Sequence, residues 1–317
     1  MNGNWLPSGP ARLPGETEAM PDANGHEKVT DRPIVGIDHA LIGVADLDAA
    51  RDAFERLGFT VSPRGRHIGW GTGNYTIMFE HDYVELIGVV DPTQYIHRLD
   101  EFLKTGEGLL NVALGTDDAE AAFRWLQAEG VDASPPEQLQ RLLETDQGDE
   151  TLQFRNVYLP NDLTPGLNTF ACEHRTPDKI RRPSWLSHPN GARRIAEVTI
   201  VMETLDGVRD AYVRLFGEEA VSGDERRGNI TVDTSRDELW FVTPKSFPER
   251  HYDKKIDESL PLPRLAALTL EVADTQATAL YLTGQQVAFE RDSTDAVIVS
   301  SEEACGTFLV FADTPEG

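Results

Sequence analysis

Val35-Gly-Ile-Asp-His-Ala-Leu-Ile-Gly-Val44 is a near-continuous apolar run bounded by turn residues, and it reads as a strand buried on both faces. Asp46 follows as an N-cap. Leu47, Ala50, Phe54 and Leu57 then recur at helical spacing, and Gly58 ends the helix. The same arrangement returns three times. Leu109–Leu114 precedes Asp118, a helix carrying Ala122, Phe123 and Leu126, and Gly130. Ile195–Val201 precedes Thr204, then Leu205, Val208, Tyr212 and Leu215, and Gly217. Leu265–Val272 precedes Asp274, then Ala277, Leu280 and Gly284. Each capping residue lies seven positions beyond an equivalent strand position, namely His39, Asn111, Glu197 and Ala267.

Strand-rich sequence follows each helix. The first unit has Tyr75–Phe79 and Tyr83–Ile87, with a turn at 80–82. The second has Leu152–Tyr158 and Leu167–Cys172, the third Asn229–Asp233 and Glu238–Val242, the fourth Ala296–Ser300 and Thr307–Phe311. The chain is therefore expected to be α+β, built from four tandem units of strand, helix and β-meander. One such unit buries its sheet face poorly, whereas paired units can curl their sheets around a shared concave site.

The 317 residues suffice for two domains with real cores. A formal charge of −25 disfavours nucleic acid and anionic membranes as partners. Two cysteines, Cys172 and Cys305, make neither a disulfide scaffold nor a CxxC zinc site, and read as small core or loop residues. No stretch reaches the ~18 apolar residues that span a bilayer. Residues 1–32 are rich in Gly, Pro, Asn and Glu, lack the apolar segment of a signal peptide, and read as a disordered tail. The expected location is the cytoplasm. The Gly-rich stretch Gly65–Gly73 has neither the GxGxxG nor the Gly-Lys-Ser/Thr pattern of a phosphate loop, and no GxSxG elbow occurs.

The repeated unit resembles the βαβββ module of the vicinal oxygen chelate superfamily, the glyoxalase/bleomycin-resistance/dioxygenase fold. Gly36–Ala50 resembles the opening of that module and Tyr83-Val-Glu-Leu-Ile-Gly88 its last strand. Gly65-Arg-His-Ile-Gly-Trp-Gly-Thr-Gly-Asn74, His174-Arg-Thr-Pro177 and Trp185–Ala192 resemble a glyoxalase-like subgroup. The resemblance covers residues 33 to 313. It implies an N-terminal domain over 33–180 with modules one and two and the active site. A connector over 181–194 and a C-terminal domain over 195–317, with modules three and four and a degenerate site, would follow.

It also implies metal ligands at His39 and Glu85, one on the first and one on the last strand of module one. Asn111 and Phe170 stand at the matching positions of module two; Glu197, Ala267 and roughly Phe308 stand at those of the second half. A metal site that stays open to substrate needs about three protein ligands. His174 is the sequence's candidate for the third, sharing a strand face with Phe170 and Cys172 but about two strand steps (~13 Å) along. Glu85, an acid in an apolar strand, needs a metal, a cation or a proton beside it. Catalytic proton transfer falls to Glu85 and to His67, which can reach the cup from the second strand. Trp70, Asn74, Asn111, Phe170 and His188 are candidates for lining the substrate pocket.

Two histidines and a carboxylate suit Fe, Mn, Zn or Ni. The leading expectation is a metal-dependent lyase or isomerase that polarises a carbonyl of a small oxygenated molecule. A non-haem Fe(II) dioxygenase is the second, and a metal-free binder of a small hydrophobic or antibiotic-like molecule the third. The chain is expected to act as a monomer or a homodimer.

Overall fold

A computed structural model describes residues 32–250 and 260–313. The expected tail therefore falls, but for Arg32, outside the described residues.

Module one runs β1 (Val35–Gly43), α1 (Leu47–Arg56), β2 (Gly65–His67), β3 (Thr72–Met78) and β4 (Tyr83–Val89). A short α2 (Leu99–Leu103) leads to module two: β5 (Gly108–Gly115), α3 (Ala119–Ala128), β6 (Glu137–Thr145), β7 (Gly148–Tyr158) and β8 (Phe170–His174). After α4 (Pro177–Ile180), module three holds β9 (Ala192–Val201), α5 (Val208–Phe216), β10 (Val221–Asp224), β11 (Asn229–Asp233) and β12 (Glu238–Val242). Beyond α6 (Phe247–Arg250), module four holds β13 (Arg264–Val272), α7 (Thr275–Gly284), β14 (Phe289–Arg291), β15 (Val297–Val299) and β16 (Phe308–Asp313). The four βαβββ units are all present.

The caps explain three of the four helix starts. Asp46 accepts the Asp48 and Ala49 N–H groups, Asp118 that of Ala121, and Asp274 those of Gln276 and Ala277. Thr204 does not cap. The third helix starts later, at Val208, behind a left-handed Gly207 with no side-chain bond. Leu280 also departs from expectation, at 65% exposure. The buried stripe of α7 is Thr275, Thr278, Ala279 and Leu282, a proper i, i+3, i+4, i+7 set, and Leu280 lies off it.

In every module the first strand pairs parallel to the last. The first eight strands close into a barrel, in the order β1-β4-β3-β2-β6-β7-β8-β5. Two seams join its halves. At one, β1 runs antiparallel to β5; at the other, β2 meets β6 through Gly65↔Leu143, Arg66↔Leu142 and His67↔Arg141. The second half, β10-β11-β12-β9-β13-β16-β15-β14, has only the β9–β13 seam and stays an open sheet. Two of its edge strands, β10 and β14, are short, four and three residues.

The register tests the expected module alignment. Leu41 faces Glu85, and Leu114 faces Ala171, so stepping back one pair sets Ala113 against Phe170. That agrees with Phe170 as the counterpart of Glu85. In the second half Thr199 faces Trp240 and Thr269 faces Val310, so Val310, not Phe308, takes the matching place in module four.

One apolar cluster runs through both halves, joining Ile37, Phe54, Phe59 and Tyr75 to Ile195, Val198, Tyr212 and Phe311. Reciprocal hydrogen bonds tie modules one and three. The Asp82 carboxylate, just before β4, accepts the Ile195 N–H at 2.9 Å. Asp237, just before β12, accepts the Ile37 N–H at 2.9 and 3.1 Å. Ile37 and Ile195 each stand two residues before the equivalent positions His39 and Glu197, so the two bonds are related by a local two-fold.

The two acids are buried. Burial, only partly offset by the Ile195 N–H, Arg181 and Arg236, and reinforced by the charge of Asp237, pushes Asp82 up to about 8. Burial raises Asp237 as well. A carboxyl raised on folding holds its proton in the native state after the unfolded chain has lost it. Its stability contribution is therefore complete below about 4 and is lost as pH rises through about 8. Thermal unfolding of the wild type and Asp82→Asn between pH 5 and 8.5 checks this. The Tm of the variant relative to wild type should climb with pH, and a pH-independent difference would contradict it.

Candidate functional site

The barrel interior opens into a cavity of about 1010 Å³. Strand alternation chooses its lining. β1 turns in His39 and Leu41, and β4 turns in Tyr83, Glu85 and Ile87. β6 gives Leu139 and Arg141, β7 gives Phe154, Asn156 and Tyr158, and β8 gives Phe170 and Cys172. The second half completes the wall with Leu262–Ala266, Ser301, Gly306 and Phe308. It thus bounds the cavity without supplying a donor set there.

Glu85 is the centre of the polar groups. His39 Nε2 lies 3.6 Å from one of its oxygens and His67 Nε2 3.8 Å from the other. Asn74 Nδ2 donates to Oε1 at 2.6 Å. All four side chains are buried or nearly so. Each imidazole is fixed from behind. His39 Nδ1 is 2.6 Å from Asp38, and His67 Nδ1 is 2.9 Å from the Thr72 hydroxyl. A charged Asp38 can only accept, so His39 presents an N–H to it at Nδ1 and turns Nε2 toward Glu85.

Asp38 also receives His174 Nε2 at 3.0 Å. One carboxylate therefore bridges two imidazoles, with Arg181 4.0 Å away. Regular alternation would turn Asp38 and His39 to opposite faces. The β1–β5 ladder slips between Ile37 and His39, a local bulge at Asp38.

Electrostatics keeps both acids ionised. Burial pushes Asp38 upward, but the charges and hydrogen bonds of His174 and His39 more than reverse that and hold it far below the usual carboxylate range. Burial likewise opposes charge on Glu85, and His67, His39, Arg141 and the Asn74 hydrogen bond together leave its pKa lowered. Burial draws His67 down to about 4, against the pull of Glu85, so its ring is neutral near pH 7. Cys172 is held well above the usual thiol range by burial, then by the Asp38 and Glu85 charges, so it stays a thiol.

Several sequence candidates gather here. His39, Glu85, His67, Trp70, Asn111 and Phe170 line the cavity, and Asn74 sits behind Glu85 as its hydrogen-bond donor. Phe170 packs edge-on to His39 at 5.8 Å, and Tyr83 stacks on the same imidazole at 4.5 Å. Asn111 donates to the Asn168 carbonyl. Trp70 stacks on His97 and lies 5.8 Å from His67.

Two candidates lie elsewhere. His174 is not beside Glu85; it is bonded to Asp38, behind His39, and packs against Phe154. His188 lies outside the cavity, accepting the Thr60 N–H at Nδ1 and meeting the Met78 carbonyl at Nε2. Both its nitrogens fasten the connector to module one, which leaves none for a substrate. Asp38 and Arg141 went unread in the sequence. The phase of Leu139, Arg141 and Leu143 along β6 is the available signal for Arg141.

Two donor sets could hold a metal. His39, His67 and Glu85 face the cavity. The two imidazoles approach different oxygens of Glu85, at 3.6 and 3.8 Å, and the three donor atoms do not all come within 4.8 Å of one another, so a shared ion would have to draw the side chains together. Asp38, Cys172 and His174 form the second set, with donor atoms within 4.8 Å of one another. There the Asp38 oxygens already receive two imidazoles and the sulfur is a protonated thiol. The second set is the more compact, but only the cavity set has all three residues lining the open space that a substrate could enter.

A family model described as a glyoxalase-like domain matches residues 37–216. No curated protein sequence matches the chain. Among solved structures, a hypothetical protein from Staphylococcus aureus superimposes with a TM-score of 0.61 at 15% identity, covering 88% of this chain and 99% of that one. A mutant of 4-hydroxymandelate synthase from Streptomyces coelicolor gives 0.55 at 13% identity, over 89% and 93%. At these identities the likeness is one of fold. Among the described residues no helix is long and apolar enough to cross a membrane.

The electrostatics can be checked on metal-free protein. Ring ¹⁵N shifts of His67 should titrate near pH 4. A histidine depressed on folding adds stability above about 6.5 that is lost as pH falls toward 4. A His67 titration at the ordinary value would contradict the buried, neutral ring.

Proposed function

The chain belongs to the glyoxalase-like domain family of the vicinal oxygen chelate superfamily, and on that premise we propose that its barrel cavity is the active site of a metal-dependent enzyme, of lyase or isomerase type, acting on a small oxygenated organic molecule. The observation that carries this is the approach of two Nε2 atoms, from His39 and His67, to the two oxygens of an ionised Glu85 in the cavity wall. His39, His67 and Glu85 would hold the ion, so the third ligand is His67 in place of His174. A divalent ion there polarises a substrate oxygen.

The chain's own groups do the rest. Asp38 fixes the tautomer and orientation of His39, as carboxylates behind ligand histidines do. Thr72 does the same for His67, and Asn74 pins one oxygen of Glu85. Tyr83, Phe170 and Trp70 surround these groups with low-polarity surface that excludes water and strengthens each charge. Glu85 is the ionised base facing the cavity, and it would take a proton from the carbon beside the polarised oxygen.

Two histidines and one carboxylate with open positions are also the donor set of non-haem Fe(II) oxygenases. That observation favours an O₂-dependent reaction as the second reading. Elemental analysis of untagged protein beside Glu85→Gln tests the shared core of both. The wild type should carry about one divalent metal per chain and the variant should lose it. Equal metal content in the two proteins would sink the proposed centre. Absence of metal from both would favour a metal-free binder of small molecules. Iron as the metal, with turnover only in O₂, would select the second reading.

A further inference from the structure

Arg141 is 2% exposed, and two of its nitrogens, Nε and Nη2, have no hydrogen-bond acceptor. No carboxylate among the described residues lies within 4.0 Å of it. Burying a guanidinium without an acceptor is costly, and cations in protein interiors are almost always paired. The barrel nevertheless makes room for it. Arg141 stands opposite His67 at the β2–β6 seam, and its guanidinium lies over the Phe154 ring at 5.7 Å. A Cβ on Gly65 would come within 2.1 Å of Asn74 Oδ1 and 3.0 Å of Arg141 Cδ, so only glycine leaves space for both.

Glu85 does not satisfy it. The Glu85 oxygens face His39 and His67 and take the Asn74 amide, and Arg141 acts on them only through space. Arg141 Nε shares the Gly65 side of the barrel with Asn74 Oδ1, itself unpaired, which leaves the terminal Nη2 edge for a visitor. Arg141 lines the cavity.

We infer that Arg141 receives the carboxylate of a small aromatic acid, whose ring lies among Leu139, Phe154, Tyr158 and Phe170. The planar fork of a guanidinium matches a carboxylate edge. A single cation that already acts through space on the Glu85 carboxylate suits a monoanion and disfavours a phosphate dianion. The apolar walls suit an aromatic body. Asn156 Oδ1, also buried and unpaired in this cavity, offers an acceptor to a hydroxyl on the ligand. The orientation rests on the proposed function: with the carboxylate on Arg141, the neighbouring carbon and its oxygen face His39, His67 and Glu85. The carboxylate site itself does not depend on a metal.

The test is titration of the full chain with benzoate and with its neutral isostere benzamide, followed by ligand-observed NMR, for wild type, Arg141→Gln and Arg141→Lys. Wild type should bind benzoate roughly tenfold or more tighter than benzamide, the worth of a charged hydrogen-bonding pair. Arg141→Gln should abolish the preference, and Arg141→Lys, which keeps the charge without the fork, should retain part of it. Equal binding of the two probes, no binding of benzoate by wild type, or an undiminished preference in folded Arg141→Gln would overturn the inference. Metal content read on the same samples separates this result from the fate of the metal centre. Arg141→Gln that keeps its metal and loses the benzoate preference supports the carboxylate site specifically.

Discussion

Three residue pairs between β2 and β6 turn a curved sheet into a closed barrel, and the site depends on that closure. The seam sets His67 against Arg141 across from Glu85. Were it open, as the corresponding edges of the second half are, the imidazole and the guanidinium would face solvent. Closure also removes two sheet edges and dries the interior. Each charge inside then acts over a longer distance than it would in water. The second half pairs its modules at one seam only. Of its residues at the positions of His39 and Glu85, one pair is Glu197 with Trp240 and the other Ala267 with Val310. It holds the barrel through a shared apolar core and the reciprocal Asp82 and Asp237 bonds, and it lends a wall to the cavity.

Within the barrel the charges compensate one another through geometry. Asp38 would be intolerable in this interior alone. It is kept by two imidazoles and sits where a bulge in β1 lets it reach both. Its charge then holds His39 at Nδ1 and leaves Nε2 turned inward. Glu85 stays ionised among His39, His67, Arg141 and Asn74. Among the described residues no acceptor meets Arg141 Nε or Nη2, and His67, held at Nδ1 by Thr72, turns Nε2 toward Glu85. Both face the cavity.

Much of this was legible in the sequence. The fourfold strand–helix spacing reads directly, because a strand buried on both faces and a capped amphipathic helix leave strong apolar periods. His39 and Glu85 stand out as polar residues within such strands. The short or polar strands β2, β6, β10 and β14 leave no comparable signal, so the closing seam could not be foreseen. Asp38 was hidden by the rule that neighbouring strand residues face apart, which the bulge breaks. The bond to Asp38 accounts for the position of His174, which strand spacing alone does not. Arg141 lies in a strand of alternating Gln and Leu, where a cation reads as solvent-facing until closure turns that face inward. Thr204 failed as a cap because Gly207 starts the helix a turn later.

The central claim is that the cavity-facing histidines and Glu85 form one metal centre, with Asp38 and His174 behind it. X-ray absorption on the zinc-loaded protein tests it directly. The account predicts a shell of nitrogen and oxygen only, with two imidazoles, one of which disappears in His67→Ala while His174→Ala leaves the shell unchanged. A sulfur scatterer at about 2.3 Å from the zinc would place the ion on Asp38, Cys172 and His174 and contradict the account.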